Sequence, residues 1–189
     1  ERDSHRWGFN LWGPTAERRF FGDKHWQEPF KWDKEAAASG KPFRVFCASM
    51  ADVCEDRDDL LEPRARLMRL IEQTPHLTWL LLTKRPENFN RFFGNRWWVK
   101  WPRNVLAMTT AEDQALLESR WAHLREVPAV CRGLSLEPLV GEISIEALRP
   151  LPGLVITGGE SGPHAEPYHP GWGRRLRDEC VRLGIPFHF

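Results

Sequence analysis

Thr78-Trp79-Leu80-Leu81-Leu82-Thr83-Lys84-Arg85-Pro86 runs from an almost unbroken apolar block into two cations and a proline. A strand with one wet face alternates apolar and polar residues, whereas a block without alternation suits a strand covered on both faces, as in a parallel sheet flanked by helices. Pro86 suits a first helical position, where its missing N–H would have no partner anyway. The stretch therefore reads as a buried strand, a polar turn and the start of a helix.

The same sentence is repeated along the chain. Apolar runs at Phe43–Ser49, Asn104–Thr109, Val130–Ser135, Leu154–Thr157 and Ile185–Phe189 join Thr78–Thr83 as predicted strands. Between them lie helical faces: Leu60, Leu67, Met68 and Ile71; Leu117, Trp121 and Leu124; Trp172, Leu176 and Cys180. Gly184 is placed as a helix stop. Strand and helix in alternation specify right-handed βαβ units, which close into a barrel or open into a doubly wound sheet. Six strands are too few for a complete eight-stranded barrel. We expect one α/β domain over residues 1–189, with an aromatic-rich segment at 1–40 carrying a helix near Trp32–Ala38, and repeating βα units over 41–189. The chain opens on Glu1 and closes on Phe187-His188-Phe189, which reads as a strand stopped halfway, so a fragment at both ends is expected.

With 27 basic and 26 acidic residues in 189, bulk charge predicts no nucleic-acid or membrane partner. No apolar run approaches the roughly 20 residues of a membrane helix and nothing resembles a signal peptide, so a soluble cytoplasmic protein is expected. Cys47, Cys54, Cys131 and Cys180 are widely spaced and match no zinc pattern, so no metal site is expected in this chain.

Ligands of parallel α/β folds sit at the carboxyl ends of the strands. The residues there are Ser49 and Asp52; Thr83, Lys84 and Arg85; Thr110 and Glu112; Ser135 and Glu137; then Gly158, Gly159, Glu160 and Ser161. Taken singly, several are ordinary turn or cap residues; as a set they form one polar rim for a small-molecule cofactor or substrate. Cations at a helix start oppose its dipole, so Lys84 and Arg85 call for an anion, either a ligand or a carboxylate of the protein. Gly158-Gly159 lets backbone approach a ligand closely, and the Glu160 carboxylate accepts from an amine. The phosphate-cradle reading fails for want of a Gly-Lys-Ser/Thr ending. Glu137 and Glu160 end neighbouring strands and are the candidate catalytic acid/base pair, the alternative being ligand binding or ion pairing. His169 is a candidate cap for a helix starting near Pro170. Trp97, Trp98 and Trp101 interleave with Arg96, Lys100 and Arg103, the composition of a stacking platform for single-stranded nucleic acid, or else the cover of a loop.

Val45-Phe46, Ser49-Met50 and Asp52; Leu81 to Pro86; Asn104-Val105, Thr110 and Glu112; Leu134-Ser135 and Glu137-Pro138-Leu139; Gly158 to Pro163, His169-Pro170, Trp172 and Leu176-Arg177-Asp178 with Cys180 together resemble a family. It is that of phage-associated proteins of radical S-adenosylmethionine type with an upstream three-cysteine motif, a family whose reaction is not established. The resemblance implies a partial TIM-like (βα) barrel, incomplete at both ends. It further implies that the intact protein carries S-adenosylmethionine and a [4Fe-4S] cluster, which the cysteines of this chain do not match and so would not assemble. Met108 stands where the resemblance leads us to expect glycine, and Cys47-Ala48 where an apolar residue and asparagine are expected. The competing readings are a non-catalytic binding or phage–host interaction protein on the same barrel, and a doubly wound nucleotide-binding enzyme.

Overall fold

The computed structural model describes residues 16–47, 51–160 and 165–189. Six strands, β1 (Phe43–Cys47), β2 (Leu77–Thr83), β3 (Val105–Thr110), β4 (Cys131–Leu136), β5 (Leu154–Thr157) and β6 (Phe187–His188), form one sheet. Every neighbouring pair is parallel, and the spatial order is the chain order. Right-handed crossovers between strands laid down in sequence all place their helices on the same face. The sheet curls into a half-barrel with those helices outside, as a partial (βα) barrel requires. A doubly wound sheet needs a reversal of strand order; these strands have none, which removes that alternative.

Among the described residues five α-helices accompany the sheet: α1 (Asp23–Ser39), α2 (Leu61–Gln73), α3 (Phe89–Trp97), α4 (Gln114–Leu124) and α5 (Pro170–Leu183). Their ends follow local chemistry. The Asp113 carboxylate accepts from Leu116 N at 2.8 Å to cap α4, and His169 Nδ1 accepts from Gly171 N to cap α5. Gly40 (φ +66°) and Gly184 (φ +69°) close α1 and α5 in the left-handed conformation that glycine adopts without a Cβ penalty. α1 begins nine residues before the predicted Trp32: its first two turns are charged and Pro29 reads as a breaker, yet packing carries the helix through both.

α3 requires a correction. Trp97 ends a helix whose Phe89, Phe93 and Trp97, spaced i, i+4, i+8, make one buried face. Phe93 and Trp97 stack at 5.2 Å between centroids, and Trp101 meets Trp97 edge-on at 5.5 Å. The indole N–H groups of Trp97 and Trp101 donate to Glu72 Oε1 and to the Val105 carbonyl. Trp97 and Trp101 are therefore core, as in the alternative reading in which these tryptophans cover the protein's own structure, while Trp98 is partly buried against that core.

Strand parity separates two faces. Leu77, Trp79, Leu81, Val105, Ala107, Leu134, Leu136 and Val155 join the helices in the main core. Their alternates face the concave side in lateral rows set by the register: Phe46–Leu80–Leu106–Cys131, then Leu82–Met108–Gly133–Leu154, then Thr110–Ser135–Ile156–His188. Met108 is fully buried in this face. A Cβ at Gly133 would lie 3.1 Å from Met108 Cγ and Cε, so the methionine at the unexpected position is matched by a glycine on the next strand.

Candidate functional site

The polar residues do gather at the carboxyl ends of the strands, but neighbouring residues there do different work. Thr83 pairs in register with Thr109, so both point toward the helices while Thr110 and Ser135 point into the concavity. Thr83 is only 2% exposed. Its hydroxyl donates to Asp52 Oδ1 at 2.5 Å, and Thr109 Oγ1 donates to the Thr83 carbonyl.

Asp52 is the anchor of this corner. Besides Thr83 it accepts from Cys54 N at 2.9 Å, Lys84 N at 3.0 Å and Arg85 Nη1 at 2.7 Å. Four donors use up its two oxygens. Asp52, Thr83 and Arg85 thus satisfy one another, tying the segment after β1 to the turn after β2. Ser49 and Ser161 lie outside the described residues.

The anion that Lys84 calls for is likewise the protein's own. Lys84 Nζ lies 2.8 Å from Glu112 Oε1, and Arg120 Nη1 lies 3.1 Å from Glu112 Oε2 while also donating to the Thr110 carbonyl. Burial works to raise the Glu112 pKa, but hydrogen bonding to Lys84 and the charges of Lys84 and Arg120 outweigh it and hold the carboxyl below its ordinary value. Lys84 remains 57% exposed on the rim. Arg120 follows exposed positions of α4 with no local signal in the sequence, and only the fold brings it back to residue 112.

Glu137 behaves differently. Ser135 Oγ donates to its Oε2 at 2.9 Å, and a Cβ at Gly158 would stand 2.7 Å from its Oε1. A bare glycine on β5's exit therefore lets the carboxylate lie across it. Asp52 holds Arg85 and Glu112 holds Lys84 and Arg120, yet Glu137 has no cationic partner among the described residues. It is exposed at the mouth of the concavity.

The glycine pair makes room for side chains of the protein itself. Gly158 accommodates Glu137, and Gly159 accommodates Tyr168, whose Cβ would be 3.1 Å from an added methyl. Glu160 Oε2 accepts from Glu166 N at 2.9 Å and makes no hydrogen bond to Glu137 among the described residues.

Burial raises the thiol pKa of every cysteine, to about 12 for Cys47 and Cys180. Cys180 lies on the core face of α5 and Cys54 in the core beneath Asp52. Iron–sulfur clusters are held by convergent thiolates, and among the described residues no group of three or more His, Cys, Asp or Glu side chains is placed to hold a metal ion. These cysteines do not fit a cluster. No helix among the described residues is long and apolar enough to cross a membrane.

The mouth of the half-barrel thus carries two carboxylates without an ion pair among the described residues, Glu137 fixed by the buried Ser135 and Glu160 bonded to Glu166 N, beside a partly exposed apolar wall of Leu82, Leu106 and Ile156. A search of curated proteins finds no match to the chain. The family model described as "Protein of unknown function (DUF5131)" matches residues 1–189, and the chain belongs to that family.

Proposed function

We propose that the concave face binds S-adenosylmethionine or a molecule of that chemical class, as the cofactor-facing wall of a radical S-adenosylmethionine-type enzyme of phage-associated origin. The observation that carries the reading is Glu137: a carboxylate fixed by Ser135 over Gly158, with no cation of the protein to neutralise it among the described residues. A ligand ammonium or a pair of ribose hydroxyls satisfies such a group, because charge-assisted hydrogen bonds are the stronger kind. The apolar wall of Leu82, Leu106 and Ile156 suits a planar base, and the buried hydroxyls of Thr110 and Ser135 hold Glu137 at its upper edge. Lys84, bound to Glu112 through one of its three donors, keeps others for a ligand carboxylate.

Bound S-adenosylmethionine supplies an activated sulfonium whose carbon–sulfur bonds can be cleaved. The residues of this chain bind and orient that molecule. The four cysteines do not fit an iron–sulfur cluster. Asp52, Thr83 and Arg85 position the rim and do not meet the ligand.

Calorimetry with the full chain and S-adenosylmethionine tests the reading. Saturable binding that weakens about tenfold in Glu137→Gln, the worth of one charge-assisted hydrogen bond of about 1.4 kcal/mol, is expected. Absence of binding by the wild-type chain sinks it and shifts the weight to a non-catalytic interaction protein.

A further inference from the structure

We infer that the amino-terminal end of the half-barrel is a docking surface for a membrane rich in anionic phospholipid. The inference is independent of the ligand reading above, which concerns the opposite end of the strands.

The near-neutral total charge conceals how the fold sorts it. At the carboxyl ends of the strands, Glu137 and Glu160 have no ion pair among the described residues. At the amino ends the surplus is cationic. Lys41 lies in the turn before β1, Lys100 and Arg103 in residues 98–104 before β3, and Arg149 in residues 149–153 before β5; all four are exposed and make no ion pair among the described residues. Arg149 donates only to the carbonyls of Glu146 and Leu148. The acids of this end are already held: Asp33 by His76, Glu72 by Arg96, Glu126 by Arg125 and Glu146 by Arg182. Lys34 and Glu35, adjacent and exposed near the end of α1, offset each other.

The same end exposes aliphatic side chains. Val99 is fully exposed, Val130 is 72% exposed and Leu151 is 37% exposed. They precede β3, β4 and β5, which are neighbours in the sheet, so their loops share about 10 Å of its edge. Two of these loops are tied to strand starts: the Trp101 indole donates to the Val105 carbonyl, and Gly153 N donates to the Arg132 carbonyl at 2.8 Å. Single exposed apolar residues are ordinary. Three on successive loops, interleaved with unpaired cations, form a surface with a definite preference.

Anionic headgroups attract the cations, each of which strengthens binding about fivefold when near the surface. The aliphatic tips then leave water for the boundary between headgroups and acyl chains. A nucleic acid would use the cations but gain little from the valines, because its bases stack on aromatic faces. Trp97 and Trp101, the aromatic residues beside Val99 and Lys100, are core.

Sedimentation of the full chain with vesicles tests this, using phosphatidylcholine alone and equal parts of phosphatidylcholine and phosphatidylglycerol. Binding to the mixed vesicles only, weakening as salt is raised, is expected. Lys100→Glu with Arg103→Glu should lower that affinity by about twentyfold or more. Val99→Ser with Val130→Ser should lower it about fivefold and leave the salt dependence unchanged. All four side chains are exposed, so both variants should keep the wild-type melting temperature. Failure of the wild-type chain to bind the mixed vesicles, or either variant binding them as tightly as the wild type, overturns the inference. Binding of a single-stranded oligonucleotide that Lys100→Glu with Arg103→Glu abolishes, without vesicle binding, also overturns it and reassigns the surface to nucleic acid.

Discussion

Replacing Asp52 by alanine removes one acceptor from four donors and separates a structural from a ligand-binding role for this rim carboxylate. The Thr83 hydroxyl, 2.5 Å away and buried, loses its acceptor, and a buried donor left unsatisfied costs about 1–3 kcal/mol. The backbone N–H of Cys54, in a buried residue, adds about 1 kcal/mol. Lys84 N and the Arg85 guanidinium are close enough to solvent to be rehydrated, so that ion pair contributes about 0.5 kcal/mol. The sum is about 2.5–4.5 kcal/mol, a large part of the roughly 5–15 kcal/mol that holds a domain together. At about 2–4 °C per kcal/mol for a chain of this size, the melting temperature should fall by about 10 °C. Asp52→Asn, which keeps a neutral acceptor, should lose less than half as much. Urea unfolding followed by the fluorescence of the 10 tryptophans reads both variants. An alanine variant within 1 kcal/mol of wild type would refute the anchoring argument and return Asp52 to the ligand contacts.

Two further outcomes follow from the same geometry. Because the folded-state pKa of Glu112 is depressed, its ion pairs contribute stability above the ordinary carboxyl range near pH 4.3, and that contribution is lost as pH falls through the lowered folded value. Glu112→Gln should therefore be less stable than wild type at neutral pH, with the gap closing in acid; a gap that stays constant down to pH 2 would contradict the assignment. Met108→Ala should cost about 2–4 kcal/mol for the cavity it opens beside Gly133. Adding Gly133→Ala, whose Cβ would stand 3.1 Å from the native methionine and 3.3 Å from the Leu154 carbonyl oxygen, should cost less in the Met108→Ala background than in the wild type; strict additivity of the two changes in a double-mutant cycle would show that they do not share one space.

Parts of the fold could be read locally because local solvation sets them. Leu80, Leu81 and Leu82 in succession can only be a strand covered on both faces or a buried helix, and Lys84-Arg85-Pro86 ends it before helical length. The caps at His169 and Gly184 follow from hydrogen-bonding and φ requirements confined to a few residues. Elsewhere packing overrides the local signal: α1 runs through Pro29, and the i, i+4, i+8 spacing of Phe89, Phe93 and Trp97 buries a tryptophan that stands beside basic residues in the sequence.

Residue order alone determined that strands alternate with helices, and that each apolar block ends in polar groups, since both follow from which residues water tolerates. Tertiary structure alone decided what those polar groups do. Thr83 and Thr110 each close an apolar block, but the register sets Thr83 opposite Thr109, so one faces the helices and the other the concavity. Asp52 meets Arg85, and Glu112 meets Lys84, across roughly thirty residues of chain, leaving Glu137 and Glu160 as the rim carboxylates without a cation among the described residues. Strand parity and long-range ion pairing are properties of register between distant segments, and no local window of sequence contains them.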